Sequence, residues 1–133
     1  DLVISNVDVN STYKNLLGDT TSSAAKRYES LEPSLSAIVF YWGIKGNHPE
    51  LETHNILFSD NYEKEFREIF ELMKCPSDPT IYIYISSKFN KSDAPDGYEN
   101  WFVLVNAPYI SGQDWKKEIN LTRERVIKKI NSL

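Results

Sequence analysis

Residues 80–86 read Thr-Ile-Tyr-Ile-Tyr-Ile-Ser, an alternation with the period of a β-strand. It sends Ile81, Ile83 and Ile85 to one face and Tyr82 and Tyr84 to the other. Residues 35–43 read as a longer strand, with Leu35, Ala37, Val39 and Tyr41 on one side and Ser36, Ile38, Phe40 and Trp42 on the other. Both sides are largely apolar, so this strand is covered twice, by core and helix or by core and a bound ligand. A turn at 93–97, where Pro95 presets its own φ and Gly97 tolerates a positive one, returns the chain as residues 101–105, an antiparallel partner. Residues 55–58 supply another short strand.

Helices fill the intervals. Asp60 and Glu63 have capping-box spacing, and Tyr62, Phe66, Ile69, Phe70 and Met73 then form an apolar stripe that reads as core, stopped by Pro76 and Pro79. Residues 112–114 start a last helix on which Trp115, Ile119, Val126, Ile127 and Ile130 share a buried face. Its Lys116, Lys117, Arg123, Arg125, Lys128 and Lys129 read as a solvated face rather than a phosphate patch. Near the start, Leu2-Val3-Ile4 reads as a short buried strand, followed by short helices over 12–17 and from Ser22 or Ser23 to Ser30. A chain that opens on a buried strand at Asp1 is expected to come from within a longer protein.

A chain of 133 residues suits one domain, 1–133, with one core. The formal charge of −4 gives no overall field for a nucleic-acid partner. One cysteine, Cys75, excludes an internal disulfide and fits a reducing compartment, the cytoplasm. No apolar run reaches the ~18 residues of a spanning helix. The five glycines are scattered and form no phosphate-binding loop. His48 and His54, with Glu50 and Glu52 between them, would need further ligands to hold a metal, so none is expected. No G-x-S-x-G elbow is present. Composition alone favours an ordinary core, but an aromatic sheet without acid–base or nucleophilic groups also suits a wall that orients an oily substrate.

The wording of the chain resembles the interior of the bacterial-type carotenoid desaturases, the phytoene dehydrogenase family, over nearly its whole length. Asp1-Leu2-Val3-Ile4-Ser5-Asn6-Val7-Asp8-Val9, with Thr12-Tyr13 and Leu16-Leu17, is similar to the family's A-D-V-V-S-N-A-D-V passage, where the chain leaves the flavin domain. Ser34, Ser36, Tyr41 and Gly43 match S-x-S-x-x-x-x-Y-x-G. Leu51, His54-Asn55-Ile56, Phe58, Asp60, Tyr62, Ile69-Phe70, Asp78-Pro79, Ile81-Tyr82, Ala94-Pro95, Gly97, residues 102–105 and Pro108 follow in family order, then Trp115 and residues 123–127. Each motif is weak, and their shared order is what carries specificity. Phe89-Asn90 stands where the family often has Thr-Asp, so no role of that acid carries over.

The resemblance implies an α+β domain, a mixed, mainly antiparallel sheet with helices packed on it, set between segments of a Rossmann-like FAD domain. It implies the substrate-binding domain of an FAD-dependent oxidoreductase that desaturates a carotenoid or isoprenoid polyene, with both flavin-binding segments outside these residues. Phe40, Trp42, Tyr82 and Tyr84 are then the candidate tunnel wall, and Asn6 lies near the flavin. No catalytic residue is assigned, the residues alone are expected to be inactive without bound cofactor, and the parent is expected to touch a bilayer peripherally. Two rivals remain: a saturase-, isomerase- or oxygenase-like relative acting on retinoids or carotenoids, and a non-catalytic module for an apolar ligand or a protein.

Overall fold

A computed structural model of the chain describes residues 2–132, which fall into two compact units, Asp1–Pro33 and Ser34–Leu133. The first unit is helical. Asp8 accepts a hydrogen bond from the Ser11 amide at 3.0 Å and so starts α1 (Val9–Ser11), which runs on into a π-helical turn, Thr12–Leu16. Gly18, at φ 63°, ends it. Ser22 caps α2 (Ser23–Glu29) through the Ala25 amide, and Tyr13 stacks on Tyr28 at 5.6 Å between ring centres.

The expected strand at residues 2–4 is not formed. Leu2, Val3 and Ile4 are irregular and 87%, 89% and 84% exposed. Their β-branched propensity needs a partner edge, and the described residues of this unit are helices and irregular backbone.

The second unit has the α+β architecture the sequence implies. Its strands are β1 (Ser36–Lys45), β2 (His54–Leu57), β3 (Ile81–Tyr84) and β4 (Tyr98–Ala107), with α3 (Tyr62–Phe70) between β2 and β3 and α4 (Trp115–Ile130) at the end. The sheet order is β1-β4-β3-β2, and all three pairings are antiparallel. β4 pairs along its whole length with β1, from Ser36 opposite Ala107 to Lys45 opposite Tyr98, and β1 is left as an edge. Gly97, at φ 76°, makes the turn into β4, and its carbonyl accepts from the Gly46 amide at 2.8 Å.

Registry fixes what each face carries. Ile81 stands opposite Val105 and Ile83 opposite Val103, and Phe40 also faces Val103. On this side Ile81, Ile83, Ile85, Val103 and Val105 have no exposed surface, and Val126 of α4 closes over them, with Trp115 and Ile130 packed alongside. Cys75 joins this core, and burial pushes its thiol up to about 11, which leaves it protonated and inert.

α3 departs from the expected capping and stripe. Asn61, not Asp60, caps it, accepting from the Lys64 amide at 2.8 Å, while the Asp60 amide is spent on the Asp78 carboxylate. Nor does the aromatic stripe form the core: Tyr62, Phe66 and Phe70 contact one another in series, the first pair tilted and the second stacked, with Tyr62 and Phe70 exposed. Of the expected stripe Ile69 does face inward, but beside Glu65 and Glu68 rather than beside the aromatic rings. Glu65 accepts from the amide and hydroxyl of Thr80, and Glu68 from those of Ser77. Burial alone would raise the Glu68 carboxyl, but the Ser77 bonds and Lys74 hold it below the ordinary range. An apolar face could not satisfy the backbone donors of residues 77 and 80, so the acids take the inner side. The helix also stops at Phe70, well before the prolines, and Met73 follows at φ 50°.

In α4 the inner positions include Thr122, while Ile119 lies exposed. Two of its six cations are clamps rather than solvated charges. Arg125 donates to the carbonyls of Cys75 and Pro76, and Lys129 binds the Asp78 carboxylate at 2.7 Å and the Pro79 carbonyl. Ile83→Ala should therefore cost about 2–5 kcal/mol in denaturant unfolding, because it opens a cavity at the centre of the core. Tyr41→Ser, on the other side of the sheet, should stay within about 0.5 kcal/mol. Equal losses would contradict this assignment of faces.

Candidate functional site

The side of the sheet turned away from α4 is rich in aromatic side chains. Val39, Tyr41, Phe102, Leu104, Tyr82, Tyr84, His54 and Ile56 lie on it by strand alternation and register. Tyr41 is 79% exposed. Its ring meets Phe102 edge-on at 5.5 Å, Phe102 meets Tyr82 at 6.3 Å, and His54 stacks between Tyr82 and Tyr84 at 6.1 and 4.9 Å. His54 Nδ1 also shares a 2.8 Å hydrogen bond with the Tyr82 hydroxyl, which ties the two rings together. An antiparallel sheet with one solvated face normally carries polar residues there. A continuous aromatic surface instead marks a place where something apolar lies.

A cleft of about 690 Å³ opens at the β1 edge, between the sheet and α4. Trp42, Ile44, Leu51, Trp101, Ile127 and Ile130 give it apolar walls, and His48, Glu50, Arg123 and Asn131 bring polar groups to the same lining. Tyr41 lines the cleft as well, so the cleft and the open face meet there.

One carboxylate organises this wall. Glu99 is 5% exposed, on the α4 side of β4. It accepts from the His48 amide at 3.2 Å, from His48 Nδ1 at 2.9 Å and from Trp101 Nε1 at 3.0 Å, and pairs with Lys88 at 3.1 Å. Lys88 also donates to the His48 carbonyl. Burial pushes the Glu99 carboxyl up, but the bonds from Trp101, His48 and Lys88 together outweigh it and hold the group at about 2. Ionised, Glu99 can only accept, so His48 must carry its proton on Nδ1. His48 and Trp101 then meet edge to face at 5.3 Å as a fixed corner of the cleft.

The four wall residues named from sequence do not form one surface. Phe40 and Trp42 stack on each other at 5.4 Å on the α4 side, where Trp42 lines the cleft and Phe40 packs into the core. Tyr82 and Tyr84 lie on the open face. Asn6 is exposed in the first unit. The two histidines, considered together as metal ligands, point to opposite sides, His48 to Glu99 and His54 to Tyr82. Sequence reasoning missed Glu99, Tyr41 and Phe102. The signal for Glu99 was available, since it continues the Trp101, Val103, Val105 face of β4 and a carboxylate there must find donors.

Gly18, Gly46, Gly97 and Gly112 adopt positive φ at separate turns and Gly43 lies within β1, so no glycine run opens a helix among the described residues.

No family model matches the chain. Individual proteins do. It is 45% identical over 130 residues to a 1-hydroxycarotenoid 3,4-desaturase of Flavobacterium sp. (strain P99-3), covering 98% of the chain and 26% of that protein. It is 36% identical to a 4,4'-diaponeurosporene oxygenase of Staphylococcus haemolyticus (strain JCSC1435), over 100% of the chain and 27% of that protein, and 36% identical to a phytoene desaturase of Fusarium fujikuroi, over 96% and 26%. The chain thus spans about a quarter of the length of the curated relatives it matches.

The Glu99 geometry makes a pH prediction. A carboxyl held at about 2 against 4.5 in the free residue stabilises the fold by on the order of 3 kcal/mol above pH 5, and loses that contribution as pH falls through 4.5 towards 2. The unfolding free energies of wild type and Glu99→Gln should therefore converge across that window, followed by Trp fluorescence. A gap unchanged from pH 6 to pH 2.5 would contradict the role given to Glu99.

Proposed function

Since this chain is a homologue, over nearly its whole length, of the carotenoid and phytoene desaturases, we propose that it forms the substrate-binding part of an FAD-dependent carotenoid oxidoreductase. Its task is to orient a long polyene or isoprenoid, while other segments of the parent hold the flavin. The observation that carries this reading is the aromatic face of the sheet, with Tyr41 exposed and Tyr82, Tyr84 and Phe102 half-buried, in edge-on and stacked contacts where a soluble sheet would be polar. Flat π-faces suit a conjugated hydrocarbon. Of the four residues named from sequence, Tyr82 and Tyr84 belong to this wall, and Trp42 belongs to the adjoining cleft.

The chain's own residues contribute position, not bond-making. Aromatic rings fixed by His54 and by one another hold a flexible substrate in one lie, which removes an entropic part of the barrier. Asn6 is assigned to the flavin-facing side of the parent by resemblance alone. Drawing a polyene from a bilayer calls for a cytoplasmic parent that touches the membrane peripherally. Among the described residues no helix is long and apolar enough to cross one.

Relatives named as desaturases and as oxygenases leave the reaction to be decided by product. The parent enzyme, supplied in turn with phytoene, a diapo-carotenoid and retinol, should convert at least one of the first two, and turnover of no polyene would overturn the reading. Tyr41→Ser combined with Tyr84→Ser should raise KM for the polyene about tenfold or more through lost apolar contact, with a smaller change in kcat. The 133-residue chain alone should fold and purify without colour. A copurifying yellow chromophore with flavin absorption would show that cofactor-binding residues had been misplaced.

A further inference from the structure

We propose that β1 is an inner strand of a larger sheet in the parent, its free edge taken by an extended segment from the remainder of that polypeptide. Of the functional reading this needs one premise, that the chain is part of a longer protein, and no particular ligand. The phase of the ladder fixes which backbone groups are free. The Gly46 amide donates to the Gly97 carbonyl at 2.8 Å, one step beyond the pairing of Lys45 with Tyr98. Bonded and non-bonded pairs alternate in an antiparallel ladder, so Ser36, Ile38, Phe40, Trp42 and Ile44 turn their backbone groups towards β4. Ala37, Val39, Tyr41, Gly43 and Lys45 turn theirs outward, and among the described residues these amides and carbonyls have no hydrogen-bond partner.

Folded proteins blunt a free edge by keeping it short or by placing a bulge, a proline or charges on it, because an open row of donors and acceptors is a template for another strand. β1 runs for ten residues in unbroken register with β4, holds no proline, and carries a charge only at Lys45, its last residue. The opposite edge is blunted: β2 is four residues long, Glu52 and Asp60 flank it, and the Asn55 side chain bonds back to the Glu52 backbone. Room for a neighbour exists at β1 as well. Gly43 has open space where a Cβ would stand, as suits a close backbone approach, and the cleft lies along the same edge. A segment with apolar residues at alternate positions would lay one set over Trp42, Ile44 and Ile127 and the other beside Tyr41. It would fill the cleft and widen the aromatic wall by about 4.8 Å. Most of the length of the relatives lies outside the matched region, so the same polypeptide has chain to give. A tethered segment also meets the edge at a high effective concentration, which a second copy does not.

Hydrogen exchange read by mass spectrometry tests this on the 133-residue chain and on the parent, each at low and high protein concentration and without polyene. In the chain about half of the β1 amides, the outward set, should exchange quickly while β4 protects the others. In the parent that fast set should slow about a hundredfold or more. Gly43→Pro removes one outward amide at a position where an edge strand tolerates proline, so it should leave the unfolding midpoint of the chain in place and lower that of the parent. Fast exchange of the outward set in the parent, slow exchange of it in the chain alone, or an equal effect of the proline on both overturns the proposal. Protection that grows with protein concentration assigns the edge to a second copy and overturns it too. Turnover is not measured, so a parent that converts no polyene would sink the functional reading and leave a protected β1 edge standing.

Discussion

Ile81 and Ile83 on β3 meet Val105 and Val103 on β4 across the middle of the sheet, and all four side chains leave on one side. The rest of the second unit is arranged around that strip. α4 lays Val126 on it, Cys75 fills its margin, and Phe40 extends it onto β1. Burying these branched side chains stabilises the unit by roughly 1.5–3 kcal/mol each. Because side chains alternate, committing isoleucine and valine to that side commits Tyr82, Tyr84, Phe102 and Leu104 to the other. The aromatic face is thus a consequence of the core register, and a slip of one residue would exchange the two.

Polar interactions then hold the pieces that apolar packing cannot place. The segment between α3 and β3 is fastened by Glu65 and Glu68 from one side and by Arg125 and Lys129 from the other. Glu99 does the same for the loop after β1, and in fixing His48 and Trp101 it also shapes the cleft. Each buried acid is matched by several donors, as burial of a charge requires.

Strand periodicity was legible wherever an element alternates cleanly. Residues 80–86 announced their faces, residues 101–105 their antiparallel pairing, and residues 112–114 the start of the last helix, which Asp114 caps. What failed to show in the sequence depended on partners distant along the chain. Leu2, Val3 and Ile4 have strand composition but no strand within their own unit to pair with, and the aromatic stripe of α3 looked like core because nothing local reveals that residues 77 and 80 need carboxylates. The site divided in the same way. Trp42, Tyr82 and Tyr84 were visible as aromatic strand residues, but that Trp42 faces the cleft and the tyrosines the open side follows from sheet order, which places β1 at an edge. Family resemblance supplied the chemical class, and the desaturases found as relatives agree with it over nearly the whole chain.

Central to this account is that the aromatic side of the sheet meets substrate. A crystal structure of the parent enzyme with a bound polyene tests it most directly. The account requires the conjugated chain to run within van der Waals distance of Tyr41, Tyr82, Tyr84 and Phe102. A polyene lodged elsewhere, with those four rings buried against protein, would contradict it.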